Sequence, residues 1–158
     1  YRIETPSEHG GPKEIHLLVG HDIGQPVASV RSGTLKLEDT EEALKFTARV
    51  APEMREVSYV KDALAAISTG LATGISPGFR LPPKRAVANV EKFEDEGHDP
   101  ANGKHNAIIR TVLDALLYEL SIVTRPAYPN AQIEARSWNP GTSESRVSLS
   151  GTLNRWRL

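Results

Sequence analysis

The chain has 158 residues, with 19 Lys and Arg against 20 Asp and Glu and a formal net charge of -1. That length fits one domain able to bury about 70% of its unfolded surface, and the charge balance supplies neither a basic footprint for nucleic acid nor an acidic tail. The absence of cysteine excludes a disulfide scaffold, a thiolate metal site and a cysteine nucleophile, so covalent catalysis must run through Ser, Thr, Lys or a carboxylate.

Residues 1–14 are polar, contain Gly10-Gly11-Pro12 and read as a flexible arm. A first strand is expected over Glu14–Val19, delivering Gly20-His21-Asp22, with a loop at Ile23–Pro26 and a second strand over Val27–Arg31. Gly33–Glu38 alternates strictly, with Leu35 and Leu37 on one face, and Ala43–Val50 follows an acidic turn as its partner. Val57, Val60, Leu64, Ile67 and Leu71 recur at helical spacing, so a helix is expected between Pro52 and Thr69, stopped at Gly70. Ala72–Phe79 reads as a short strand, residues 82–107 as a long loop or excursion. His105–Thr124 is apolar enough for helix or buried strand, and its ending Ile122-Val123-Thr124 favours strand. Gln132–Arg136 is a last short strand; from Ser137 the chain is polar and reads as a tail without periodicity. No run approaches the roughly 20 apolar residues of a membrane span, and the beginning lacks the layout of a signal peptide.

Few residues are placed for chemistry. No two of the five histidines have i, i+4 spacing, so no metal site is expected. His9 and His98 read as solvated surface residues and His16 as a half-exposed strand residue. His21 differs because it ends a strand beside a glycine, a position that presents a side chain from a rigid backbone, although a structural histidine fits the same place. Ser76 lies in Gly74-Ile75-Ser76-Pro77-Gly78, where the flanking glycines leave room for a substrate backbone and for N–H groups facing an oxyanion; a plain turn serine is the alternative. The spacing matches a hydrolase nucleophile elbow, but Phe79-Arg80-Leu81-Pro82-Pro83 cannot open the helix that an elbow needs. Glu119, inside the apolar Tyr118–Ser121 stretch, needs a partner or an exposed strand face, and an imidazole partner would make it an orienting acid.

Gly20-His21-Asp22 with Pro26-Val27-Ala28-Ser29 and a Leu-Lys-Leu-Glu-Asp strand, then Thr73–Phe79, then Tyr118–Pro129, stand in an order that resembles the tailed-bacteriophage prohead proteases over residues 15–135. The resemblance implies a capsid maturation serine protease whose fold is related to herpesvirus assembly proteases: α+β, mainly β, a small closed or partly open β-barrel with packed helices. It implies a protease domain at 15–136 between an arm at 1–14 and a polar tail at 137–158. His21 is implied as general base, Ser76 as nucleophile and Glu119 as orienting carboxylate, without cofactor or metal. Asp22 is expected to support local structure, and Ser121 to pack beside the acid, with Ser121 also the rival nucleophile. Ala28, where the family often has Gly, and the length of the 82–107 excursion depart from the pattern without touching the triad. Scaffold and major capsid proteins are the implied substrates, with self-cleavage and a homodimer both compatible, no nucleic acid or membrane partner, and action in the host bacterial cytoplasm inside the assembling prohead. The alternatives are a catalytically inactive module of the same fold associated with capsid or scaffold, and a nucleic-acid-binding barrel, which the 6% aromatic content and the charge disfavour.

Overall fold

The computed structural model describes residues 2–3, 14–40, 43–83, 88–126, 131–137 and 147–154. They form β1 (Arg2–Ile3), β2 (His16–Val19), β3 (Asp22–Ser29), β4 (Leu35–Asp39) and β5 (Ala43–Arg49), then the helix α1 (Ser58–Ser68). After it come β6 (Gly74–Arg80), β7 (Glu91–Asp95), β8 (His98–Asp99), β9 (Lys104–His105), β10 (Ile108–Val112), β11 (Leu116–Val123), β12 (Gln132–Ser137) and β13 (Val147–Asn154). The fold is therefore mainly β with one α-helix among the described residues, consistent with the expected α+β class, where the resemblance implied packed helices.

One large sheet runs β3-β2-β11-β6-β12-β13-β5-β4, with β1 pairing parallel to the start of β11. Among the described residues no ladder joins β3 to β4, so the sheet is not closed. Its inner face is built by alternation: in β5, Leu44, Phe46 and Ala48 are buried while Lys45, Thr47 and Arg49 are exposed. Leu17, Leu35, Ile75, Leu117, Leu120, Ile122, Leu149 and Leu153 complete this face, and α1 covers it with Val60, Ala63 and Ile67.

The structure departs from the sequence expectations for identifiable reasons. Ile23–Pro26 belongs to β3 and is not a loop, because β3 is an edge strand and an edge has room for a proline without an N–H. The helix starts at Ser58, not near Pro52, since Val57 is extended and Glu53–Glu56 forms a separate 3-10 turn. Leu71, the last member of the expected stripe, lies beyond the helix end and is 71% exposed. His105–Thr124 contains two strands, β10 and β11. The expected arm at 1–14 lies mostly outside the described residues, but Arg2–Ile3 pairs with Leu116–Leu117.

Two segments read as irregular carry strands. The 82–107 excursion carries β7, which pairs antiparallel with β10 just beyond it, and β8, which pairs with β9, making an arm whose ladders are separate from the large sheet. The segment read as an aperiodic tail contributes β13, which lies between β12 and β5. Its signal is present as strict alternation of Val147, Leu149, Gly151 and Leu153 with Ser148, Ser150 and Thr152, masked by the serine-rich composition.

Candidate active site

The outer face of the sheet centre is set by pairing. On β11 the register passes from Leu117 opposite Phe79 to Glu119 opposite Gly78, leaving Tyr118 as the extra residue of a bulge. Simple alternation would turn Glu119 inward with Leu117. The bulge resets the phase, so Leu117 and Leu120 both join the core, and Glu119 and Ser121 face the other way. Ser76 on β6 is directly opposite Ser121, and antiparallel partners share a face. Glu119, Ser121 and Ser76 thus lie together on the face away from α1.

His21 arrives from the neighbouring β2–β3 connection. Val19 pairs with Asp22, so Gly20-His21 is a two-residue hairpin turn, with φ of 61° and 63°. Glycine adopts the first angle without cost, whereas a histidine there carries backbone strain of about 1 kcal/mol or more. Asp22 Oδ1 accepts the Gly24 N–H at 2.8 Å, the local supporting role expected for it. The Gly20 N–H donates to the Ile122 carbonyl at 3.0 Å, and the His21 N–H donates to Ser121 Oγ at 3.0 Å, tying the turn to β11.

The imidazole meets the acid. His21 Nδ1 lies 2.8 Å from Glu119 Oε1, and the Ser121 hydroxyl donates to Glu119 Oε2 at 3.2 Å. The Glu119 side chain is 10% exposed and that of His21 44%. A buried carboxylate demands such partners. With Nδ1–H donating to the carboxylate, the lone pair of the neutral ring sits on Nε2, the arrangement of a general base. Ser76 is 6% exposed, one strand away, and among the described residues no hydrogen bond joins it to His21. His16, Leu18, Ile23 and Tyr118 complete, with His21 and Glu119, the lining of a cleft of about 500 Å³. No three His, Asp or Glu among the described residues cluster as metal ligands.

The glycines around Ser76 act differently from the sequence expectation. A Cβ built on Gly78 would fall on the Glu119 side chain, 2.8 Å from its Cδ, and one on Gly74 would lie 2.9 Å from Cγ of the Pro126 ring. Their missing side chains are therefore filled by the chain's own Glu119 and Pro126. The N–H groups of this segment are also committed: Ile75 donates to the Ala131 carbonyl at 3.2 Å, Pro77 has none, and the alternate residues turn theirs toward β11. The N–H groups of residues 74–77 thus point into the ladders, where the sequence reading expected them to face an oxyanion. Sequence reasoning missed this clearance, and it missed the cleft residues Leu18, Ile23 and Tyr118. Residues 127–129, the end of the third motif, lie outside the described residues.

A family model described as caudovirus prohead serine protease matches residues 7–144. No curated protein and no solved structure matches the chain.

Proposed function

The chain belongs to the caudovirus prohead serine protease family, the serine proteases of phage capsid maturation, and from that premise we propose that Ser76 is the nucleophile, His21 the general base and Glu119 the carboxylate that orients the base. The observation that carries the assignment is the 2.8 Å contact between His21 Nδ1 and a shielded Glu119, beside Ser76 on the same sheet face. Membership makes phage capsid or scaffold proteins the substrates and the assembling prohead in the host cell the place of action. No helix of the described residues is long and apolar enough to cross a membrane.

The chemistry is acyl transfer. Ser76 Oγ attacks the peptide carbonyl as His21 Nε2 takes its proton, Glu119 stabilises the imidazolium, and His21 returns the proton to the leaving amine before water hydrolyses the ester. The cleft lined by Leu18, Ile23 and Tyr118 is where the substrate chain is seated, its apolar wall favouring an apolar side chain. Ser121 is a poor rival nucleophile, because its hydroxyl is fully buried and engaged on both sides. An open sheet covered on one face by α1 fits the partly open barrel of a herpesvirus-type assembly protease, which an experimental structure would test.

Co-expression with the major capsid protein of the same phage, followed by mass spectrometry of that protein's N-terminus, tests the assignment. Wild type is expected to remove a segment, and Ser76→Ala to lower the rate by about six orders of magnitude without unfolding. Cleavage that survives Ser76→Ala and stops in Ser121→Ala would sink the nucleophile assignment. Intact mass of the two proteins separately shows whether the chain also trims itself.

A further inference from the structure

Ser121 is a buried polar group that the triad chemistry leaves unused. It sits mid-strand between Leu120 and Ile122, both in the core, and is 0% exposed. A hydroxyl in such a place is costly unless its donor and acceptor sites are satisfied. Both are, and by the two halves of the same pair: Oγ accepts from the His21 backbone N–H at 3.0 Å and donates to Glu119 Oε2 at 3.2 Å. With the His21–Glu119 contact at 2.8 Å these bonds close a ring running from the histidine backbone through Ser121 and the carboxylate to the histidine side chain.

The ring meets a specific need. His21 occupies a left-handed conformation, φ 63°, that its side chain disfavours, in a turn whose other backbone N–H bond to β11 among the described residues is that of Gly20 on the Ile122 carbonyl. Without an acceptor for the His21 N–H, the turn can relax and carry the imidazole off Glu119. Ser121 is also the residue directly opposite Ser76, so it fixes the base against the strand that holds the nucleophile.

We propose that Ser121 is a positioning residue, whose hydroxyl holds the His21 turn in its left-handed conformation and the imidazole on Glu119. This rests on the catalytic reading of His21, Ser76 and Glu119. A misplaced base slows acylation while the apolar cleft residues Leu18, Ile23 and Tyr118 stay in place, so Ser121→Ala is expected to lower kcat about 10- to 100-fold with KM little changed and the thermal midpoint lowered by a few degrees.

The test uses the whole protein and a fluorophosphonate probe, with the labelled serine located by peptide mass spectrometry. Wild type labelled at Ser76, with Ser121→Ala labelled at Ser76 at least tenfold more slowly, supports the proposal. Labelling of Ser121→Ala at the wild-type rate overturns it while leaving the triad intact. Labelling at Ser121, or none in an active wild type, overturns the triad and the proposal with it. A measurement on wild type alone guards against a misfolded variant: the His21 amide, in a half-exposed turn, is expected to exchange with solvent at least tenfold more slowly than an unprotected turn amide. Exchange at the unprotected rate also overturns the proposal.

Discussion

The sheet centre and the β7–β10 arm are built from the same kinds of residue and behave differently. Each pairs carboxylates with cations or imidazole at hydrogen-bond distance: Glu119 with His21 at 2.8 Å in the centre, Glu91 with Arg110 at 2.6 Å in the arm. In the centre the carboxylate is shielded, held by a second hydrogen bond and carried on a strand that is buried from Glu119 to Ile122. In the arm the Arg110 side chain is 46% exposed, Lys92 and Glu94 pair in open solvent, and Phe93 and Ile108 are exposed on the same ladder. Water and salt screen the second set, so such pairs contribute about 0–1 kcal/mol, whereas a shielded pair fixes geometry and becomes costly to break. Burial, more than residue identity, separates a pair held in one geometry from a solvated one.

The contrast is open to direct attack. The largest expected effect is that of Glu119→Gln, which keeps the shape but removes the charge that, in the proposed triad, would stabilise the imidazolium. Steady-state cleavage should show kcat lower by about three to four orders of magnitude, with little change in KM. Next comes Gly78→Ala, whose methyl group would occupy the place of the Glu119 side chain. It is expected to reduce fluorophosphonate labelling about 100-fold and to cost about 1–3 kcal/mol in a denaturant titration, since overpacking is relieved only by moving the carboxylate. Arg110→Ala removes both the Glu91 pair and the guanidinium stacked 6.0 Å from the Phe93 ring, yet should cost no more than about 1 kcal/mol and leave labelling unchanged. A collapse of activity in that variant would tie the arm to the site and dissolve the contrast.

The smallest effect is expected at Glu14, paired at 2.9 Å with Arg31. Partial burial pushes its carboxyl up, but the Arg31 backbone N–H, the Ser29 hydroxyl and the charges of His16 and Arg31 outweigh that and hold it below the ordinary 4.5. A depressed carboxylate stabilises the fold above its unfolded pKa and loses that contribution as pH falls through the folded value. The stability gap between wild type and Glu14→Gln should therefore be below about 1 kcal/mol at neutral pH and shrink as acidification passes below the ordinary 4.5 and through the lowered folded value.

What the sequence disclosed follows the range of the interaction involved. Alternation and turn residues are local, so β2, β4, β5, β6 and β12 were legible within a few residues, as was the stripe of Val60 and Ile67 that α1 buries. That Glu119 needs a partner was legible too, because desolvation of a carboxylate depends only on its surroundings being apolar. The partner was named by the family resemblance and not by the residues around Glu119, since His21 is 98 residues away and comes to it through the β2–β11 pairing. Gly74 and Gly78 were misread for the same reason: what fills a missing side chain is decided by the strand opposite. Pro26 and the serines of β13 misled in another way, since composition was weighed above position in the sheet.

β13 has a consequence in time. Among the described residues the ladder from the β4–β5 hairpin to the rest of the large sheet runs through it, and Leu44 and Phe46 lie in the core with Leu149 and Leu153. A chain emerging from the ribosome makes β4 and β5 about a hundred residues before the strand they must lie against. Until residues 147–154 are out, that hairpin keeps an apolar face uncovered and the sheet stays in two pieces. The large sheet is thus completed only when β13 is made, which delays a finished core until synthesis has passed Asn154.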